Sequence, residues 1–125
     1  MARRMHSSGY MMPLPVDITF RDMPASNALQ ASIERWADRL ARLEPRISKC
    51  TVVVAQPHRK RWSGKQFHVR LEITMPDRVI VVGRDPAQDE THADPYVAVG
   101  DAFRAARRQL QDAIEIRRGD VKLHA

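Results

Sequence analysis

Phe67-His68-Val69-Arg70-Leu71-Glu72-Ile73-Thr74-Met75 alternates apolar and polar side chains without a break. A period of two sets Phe67, Val69, Leu71, Ile73 and Met75 on one face of a strand and His68, Arg70, Glu72 and Thr74 on the other, so one face meets a core. Outward from this strand the pattern continues. Upstream, Cys50-Thr51-Val52-Val53-Val54-Ala55 is a β-branched run of strong strand character. Downstream, Pro76-Asp77 reads as a tight turn into Val79-Ile80-Val81-Val82, a further strand. Val16-Asp17-Ile18-Thr19-Phe20 near the start alternates in the same way and reads as a half-buried strand.

Two segments have the other period. Leu29, Ile33, Trp36, Ala37, Leu40 and Leu43 recur at three and four, giving one apolar stripe on a helix. Ser26 or Asn27 is its expected N-cap, and Glu44-Pro45 ends it, because a residue before proline disfavours the helical region. The second helix opens at Asp94-Pro95, an acidic cap followed by proline at the first helical position. Val99, Phe103, Ala106, Leu110, Ala113 and Ile114 are its core stripe, and Gly119 is its expected C-cap. The order strand, helix, three strands, helix predicts an α+β fold: a two-layer β-α-β-β-β-α sandwich with two helices on one face of a four-stranded sheet. Residues 1–15 read as a flexible N-terminal arm, 16–118 as the folded domain and 119–125 as a C-terminal tail. Residues 85–94, with Asp89 and Glu90, read as an acidic loop.

The 125 residues fit one domain with a real core. A net charge of +6 favours an acidic partner: RNA, DNA or an anionic surface. No apolar run approaches the roughly 20 residues that span a bilayer, and the first residues lack the apolar core of a signal peptide. Cys50 is the single cysteine, which makes a reducing, cytoplasmic setting the simpler assumption.

The positive charge is organised. Residues 56–70 contain Arg59, Lys60, Arg61, Lys65 and Arg70 with no acid among them, and Trp62 in their midst. Such a loop is either a solvated connection or a finger offering charge and a stacking surface to a polyanion. On the first helix Arg35, Arg39 and Arg42 flank the apolar stripe. On the second, Arg104, Arg107, Arg108 and Arg118 gather along a face beside the core stripe. Flanking arginines either snorkel over the edges of the core or face an anion, and three basic stripes together favour nucleic acid.

Catalytic patterns are weak by comparison. His6, His58, His68, His92 and His124 are scattered, and Cys50 has no cysteine partner, so no metal-ligand spacing appears. His58 in the basic loop and His68 on the polar face of a strand are expected to contact nucleic acid rather than metal. Cys50 lies in an apolar strand, where a thiol behaves as a small hydrophobe. Asp89, Glu90 and Asp94 lack the ordered spacing of a calcium loop, and the five glycines form no phosphate-binding loop. The reading is therefore of a binding protein, not an enzyme, with no cofactor, metal or small-molecule substrate.

Three stretches carry a family resemblance: Val16-Asp17-Ile18-Thr19-Phe20-Arg21-Asp22-Met23; Arg39-Leu40-Ala41-Arg42-Leu43-Glu44; and Asp94-Pro95-Tyr96-Val97-Ala98-Val99 leading to Arg108-Gln109-Leu110. In order and spacing they resemble the hibernation-promoting factor and ribosome-associated inhibitor family over residues 16–118. The resemblance implies a fold similar to double-stranded-RNA-binding domains. It also implies binding to ribosomal RNA of the small subunit in the decoding channel, where messenger and transfer RNA would otherwise sit. Pro57-His58-Arg59 and Arg118-Gly119-Asp120-Val121-Lys122 resemble a subgroup in which a cold-shock RNA-binding domain often follows. The chain departs from the family where an acidic or amide residue often stands four positions after the tyrosine of the second helix; here that position is Gly100, with Asp101 next. Glycine inside a helix costs about 0.5–1 kcal/mol relative to alanine, which predicts a locally weakened helix. The other readings open are a general double-stranded-RNA-binding module and a small enzyme or ligand-binding domain using the open face of the sheet.

Overall fold

The computed structural model describes residues 2–5, 14–56, 66–83 and 92–124, with the side chains of 2–5 and 118–124 outside the description. Five strands and two helices follow in the order β1 (Ala2–Met5), β2 (Val16–Arg21), α1 (Asn27–Leu43), β3 (Lys49–Ala55), β4 (His68–Thr74), β5 (Val79–Val82) and α2 (Pro95–His124). The sheet runs β1-β2-β3-β4-β5. Only β2 and β3 are parallel, and a parallel pair needs a crossover, which α1 supplies.

The β-α-β-β-β-α order read from the sequence is the observed one, over β2 to β5 and the two helices. Two boundaries differ. No strand was expected before Val16, yet Ala2–Met5 pairs antiparallel with β2, Ala2 opposite Thr19 and Met5 opposite Val16. An edge strand is held by backbone hydrogen bonds to a free neighbour, so it needs no alternating pattern to announce it. The helix α2 was expected to stop at Gly119 but continues to His124. Glycine inside a helix costs about 1 kcal/mol, which does not by itself end one.

Register explains the core. Val16, Ile18 and Phe20 of β2 stand opposite Cys50, Val52 and Val54 of β3. These in turn stand opposite Ile73, Leu71 and Val69 of β4. All nine are buried, and Leu29, Ile33, Ala37 and Leu40 of α1 and Val99, Phe103, Ala106 and Leu110 of α2 join them in one cluster. Each large side chain so covered contributes about 1.5–3 kcal/mol over leaving it in water. The opposite face carries Asp17, Thr19, Thr51, Arg70 and Glu72.

The caps are those the residue types call for. The Ser26 hydroxyl accepts from the Leu29 backbone N–H at 3.1 Å, and the Asp94 carboxylate accepts from the Tyr96 backbone N–H at 2.8 Å. Past the C-terminus of α1, Glu44 is buried and paired with Arg46. Gly83, where β5 ends, has φ +75°, and a Cβ there would fall 2.2 Å from the Val69 carbonyl oxygen. Only glycine fits.

Candidate nucleic-acid interface

Packing both helices on one face of the sheet leaves their outer sides to solvent, with a groove between them. Trp36, Leu40 and Leu43 of α1 and Phe103 of α2 contribute its apolar lining, and Arg39, Arg42, Arg104 and Arg107 its basic lining. Its volume is about 440 Å³. The four arginines are exposed. They belong to segments more than sixty positions apart in the chain and meet only because α1 and α2 pack against each other.

The groove has an aromatic centre. The rings of Trp36 and Phe103 stack with centroids 6.0 Å apart and planes 16° from parallel. The guanidinium carbon of Arg39 lies 4.9 Å from the centre of the Trp36 ring, and that of Arg104 lies 5.2 Å from it. Both are within the range where a cation is attracted to the negative face of an aromatic ring.

Charge pairing separates three of these arginines, Arg39, Arg42 and Arg107, from Arg104 and from most of the cations elsewhere. Arg46, Lys49, Arg70, Arg78 and Arg117 each have an acid within ion-pair distance: Glu44, Asp17, Glu72 and, for the last two, Asp77. Arg104 is paired with Asp101 at 3.2 Å. Arg35, Arg39, Arg42, Arg107 and Arg108 have no acidic partner among the described residues, nor does Arg21 at the end of β2. Exposed cations without partners are the groups that gain most from meeting phosphates, because they release bound counterions without first breaking an ion pair.

Of the residues singled out in the sequence, the fold thus gathers Arg39, Arg42, Arg104 and Arg107 around one groove. Arg35 is exposed on α1 outside its lining. Arg108 faces a neighbouring cleft of about 410 Å³ together with Arg104, His68, His92 and Asp101. Arg118 lies within α2, its side chain outside the described residues. The loop residues Arg59, Lys60, Arg61, Trp62 and Lys65, with His58, also fall outside the described residues, as do Asp89 and Glu90 of the acidic segment.

One expectation is overturned. His68, expected on a polar face open to nucleic acid, is 5% exposed. It stands at the start of β4, where the chain returns and Phe67 pairs with His92 through two backbone hydrogen bonds of 2.8 and 3.2 Å. That return and α2 line the cleft against His68. A period of two reports which side of a strand a residue occupies, not what later crosses over it. His92 itself reaches Asp101 at 2.9 Å through Nε2.

Two residues beside the groove have surroundings that the sequence pattern does not report. Trp36, on the apolar stripe of α1, packs against the core as expected but is half-buried and also lines the groove. Gly100, expected to weaken α2 locally, faces Trp36 and Arg104. The signal that would have found them is the i,i+3 spacing of Trp36 and Arg39 and the i,i+4 spacing of Gly100 and Arg104.

Cys50 is fully buried, and burial pushes its thiol up to about 12. A protonated thiol without access to solvent is a poor nucleophile. Among the described residues no three His, Cys, Asp or Glu side chains gather as metal ligands would, and no helix is long and apolar enough to cross a membrane.

With the geometry in place, comparison with known proteins is direct. The crystal structure of the Thermus thermophilus Protein Y N-terminal domain superposes with a TM-score of 0.57 at 17% sequence identity, covering 81% of this chain and 98% of that one. At that identity the likeness speaks for the fold. A search of curated protein sequences finds no match. The family model described as sigma 54 modulation protein / S30EA ribosomal protein matches residues 16–118, from the first residue of β2 into the last turns of α2. This chain belongs to that family, the ribosome-associated hibernation factors.

Proposed function

We propose that this protein binds ribosomal RNA of the small ribosomal subunit in the decoding channel and silences translation by filling the sites of messenger and transfer RNA. The observation that carries the reading is the groove between α1 and α2, where Arg39, Arg42, Arg104 and Arg107 surround an aromatic and aliphatic surface. RNA backbone presents phosphates to such a surface, and apolar side chains between the charges exclude water from the contacts. Binding of this kind is strong, salt-sensitive and largely independent of base sequence. The basic loop with Arg59, Lys60, Arg61, Trp62 and Lys65 is a second contact, its tryptophan supplying a stacking face. Arg35, Arg108 and Arg118 extend the charged surface along the helices.

The mechanism is occupancy. No bond is made or broken: the folded domain takes volume and phosphate contacts that the translation substrates need. The setting is the cytoplasm, where ribosomes are.

Sedimentation of small subunits and intact ribosomes through sucrose at moderate salt, with and without the protein, tests this. The protein is expected to travel with both and to reduce peptide synthesis in a cell-free system. Excess duplex RNA is expected to leave that association in place. If duplex RNA strips the protein off as readily as unlabelled small subunits do, it is a general double-stranded-RNA binder instead. Absence from every ribosomal fraction overturns the proposal.

A further inference from the structure

Among the described residues, Trp36 is the aromatic ring on which arginines of two different helices converge. Arg39 reaches it from one turn farther along α1, and Arg104 reaches it from α2. With both guanidinium carbons near one ring centre, the two charges are at most about 10 Å apart, on a stem that cannot rotate freely. Phe103 stacks on the indole and restrains it. Asp101 also restrains Arg104, its Oδ1 accepting from Nη1 at 3.2 Å, while its Oδ2 is held by His92.

Gly100 completes the arrangement. A Cβ at that position would meet Arg104 Nη1 at 3.2 Å and Trp36 Cζ2 at 3.4 Å. A methyl there would sit in ordinary contact with the edge of the indole and would press on the tip of the guanidinium, which would have to give by a few tenths of an ångström. The missing side chain therefore lets Arg104 approach the ring without that displacement.

We infer that Trp36 is a positioning residue that holds Arg39 and Arg104 together as a preformed two-arginine clamp for RNA phosphate. Arginine is rich in rotamers, and freezing such side chains at an interface is a main cost of binding. Both guanidiniums already lie against the ring in the free protein, so part of that cost is met before RNA arrives. Arg39 has no acidic partner among the described residues, so the clamp retains net positive charge for the phosphate. The inference deepens the ribosomal-RNA reading and rests on it for the ligand.

The test has two arms. In the free protein, nuclear magnetic resonance is expected to find the side-chain methylene protons of Arg39 and Arg104 shifted upfield by the indole ring. Those shifts should vanish in Trp36→Leu and persist in part in Trp36→Phe, and Gly100→Ala should reduce the Arg104 shift while leaving that of Arg39 in place. In the second arm, affinity for purified small ribosomal subunits is measured in two backgrounds. Trp36→Leu should weaken binding about tenfold in the parent chain and less than twofold in an Arg39→Ala/Arg104→Ala background, with Trp36→Phe restoring most of the loss. An equal loss in both backgrounds, or a Phe variant no better than Leu, overturns the inference, because Trp36 would then act through stability or its own contact. Unshifted arginine protons in the parent overturn it without any variant having to fold. If the parent fails to bind subunits, the ribosomal reading falls, and the first arm still decides whether the clamp exists.

Discussion

Replacing Arg39, Arg42 and Arg107 together by alanine is expected to cut ribosome affinity in a way that depends on salt by a calculable amount. All three line the groove between the helices, all are exposed, and none has an acidic partner among the described residues. If each neutralises one phosphate, removing three lowers the slope of log K against log salt by about 2.1–2.7. Between 50 and 200 mM salt the parent should then lose roughly 20–40-fold more affinity than the variant. Thermal stability should change little, since exposed substitutions are usually worth within about 0.5 kcal/mol and the lost Arg39–Trp36 contact adds about 0.5–1 kcal/mol. The control removes the same charge elsewhere: Arg21→Ala, Arg70→Ala and Arg78→Ala together, of which Arg70 and Arg78 are already paired with Glu72 and Asp77. Fluorescence anisotropy with labelled protein and purified small subunits at several salt concentrations gives both slopes. If the control flattens the slope as much as the groove variant does, net charge matters and the groove does not, and the reasoning is refuted.

Further outcomes are expected, the first from the sequence and the rest from the structure. Trp62→Ala should weaken ribosome binding by one to two orders of magnitude, because stacking on a base is worth roughly 1–3 kcal/mol; a lowered melting temperature with unchanged affinity would mean the ring covers the domain's own surface. Gly83→Ala should destabilise by about 1–3 kcal/mol in urea titration, since φ is +75° and the new Cβ would strike the Val69 carbonyl. Cys50 should resist a disulfide reagent at pH 8 and react only once the chain is unfolded. Its thiol is pushed to about 12 from an ordinary 9.0. The folded state therefore keeps a proton that the unfolded state loses, and stability should be constant below about pH 9 and fall as pH rises toward 12. A Cys50→Val variant measured alongside should lack that part of the alkaline decline.

Local pattern was enough for most of the scaffold. Alternation over Val16–Phe20 and Phe67–Met75 identified two strands and their buried faces, because a strand's side-chain period is a property of the backbone alone. Ser26, Pro45, Asp94 and Pro95 marked helix ends for equally local reasons, a side-chain oxygen within reach of free N–H groups or a ring that bars the helical region. The basic stripes were also legible, since Arg35, Arg39 and Arg42 fall together on any helical wheel. Tertiary structure decided which of those arginines come together. Whether Arg39 and Arg104 share a ring depends on how two helices pack across a common sheet, and helix periodicity has no information about a partner helix. Trp36 shows the same limit: its spacing marks it as apolar, but only packing leaves it half-covered at the edge of the core, where one ring contacts Phe103 and two guanidiniums. Gly100 read alone is a weak point of a helix, and only the packed helices place it beside the Trp36 ring and the tip of Arg104. His68 went the other way, polar by its place in the strand and buried by a segment that returns twenty-four residues later to pair with Phe67. Contacts set by the nearest few residues can be read along the chain; those that require distant segments to meet are set by the packed core.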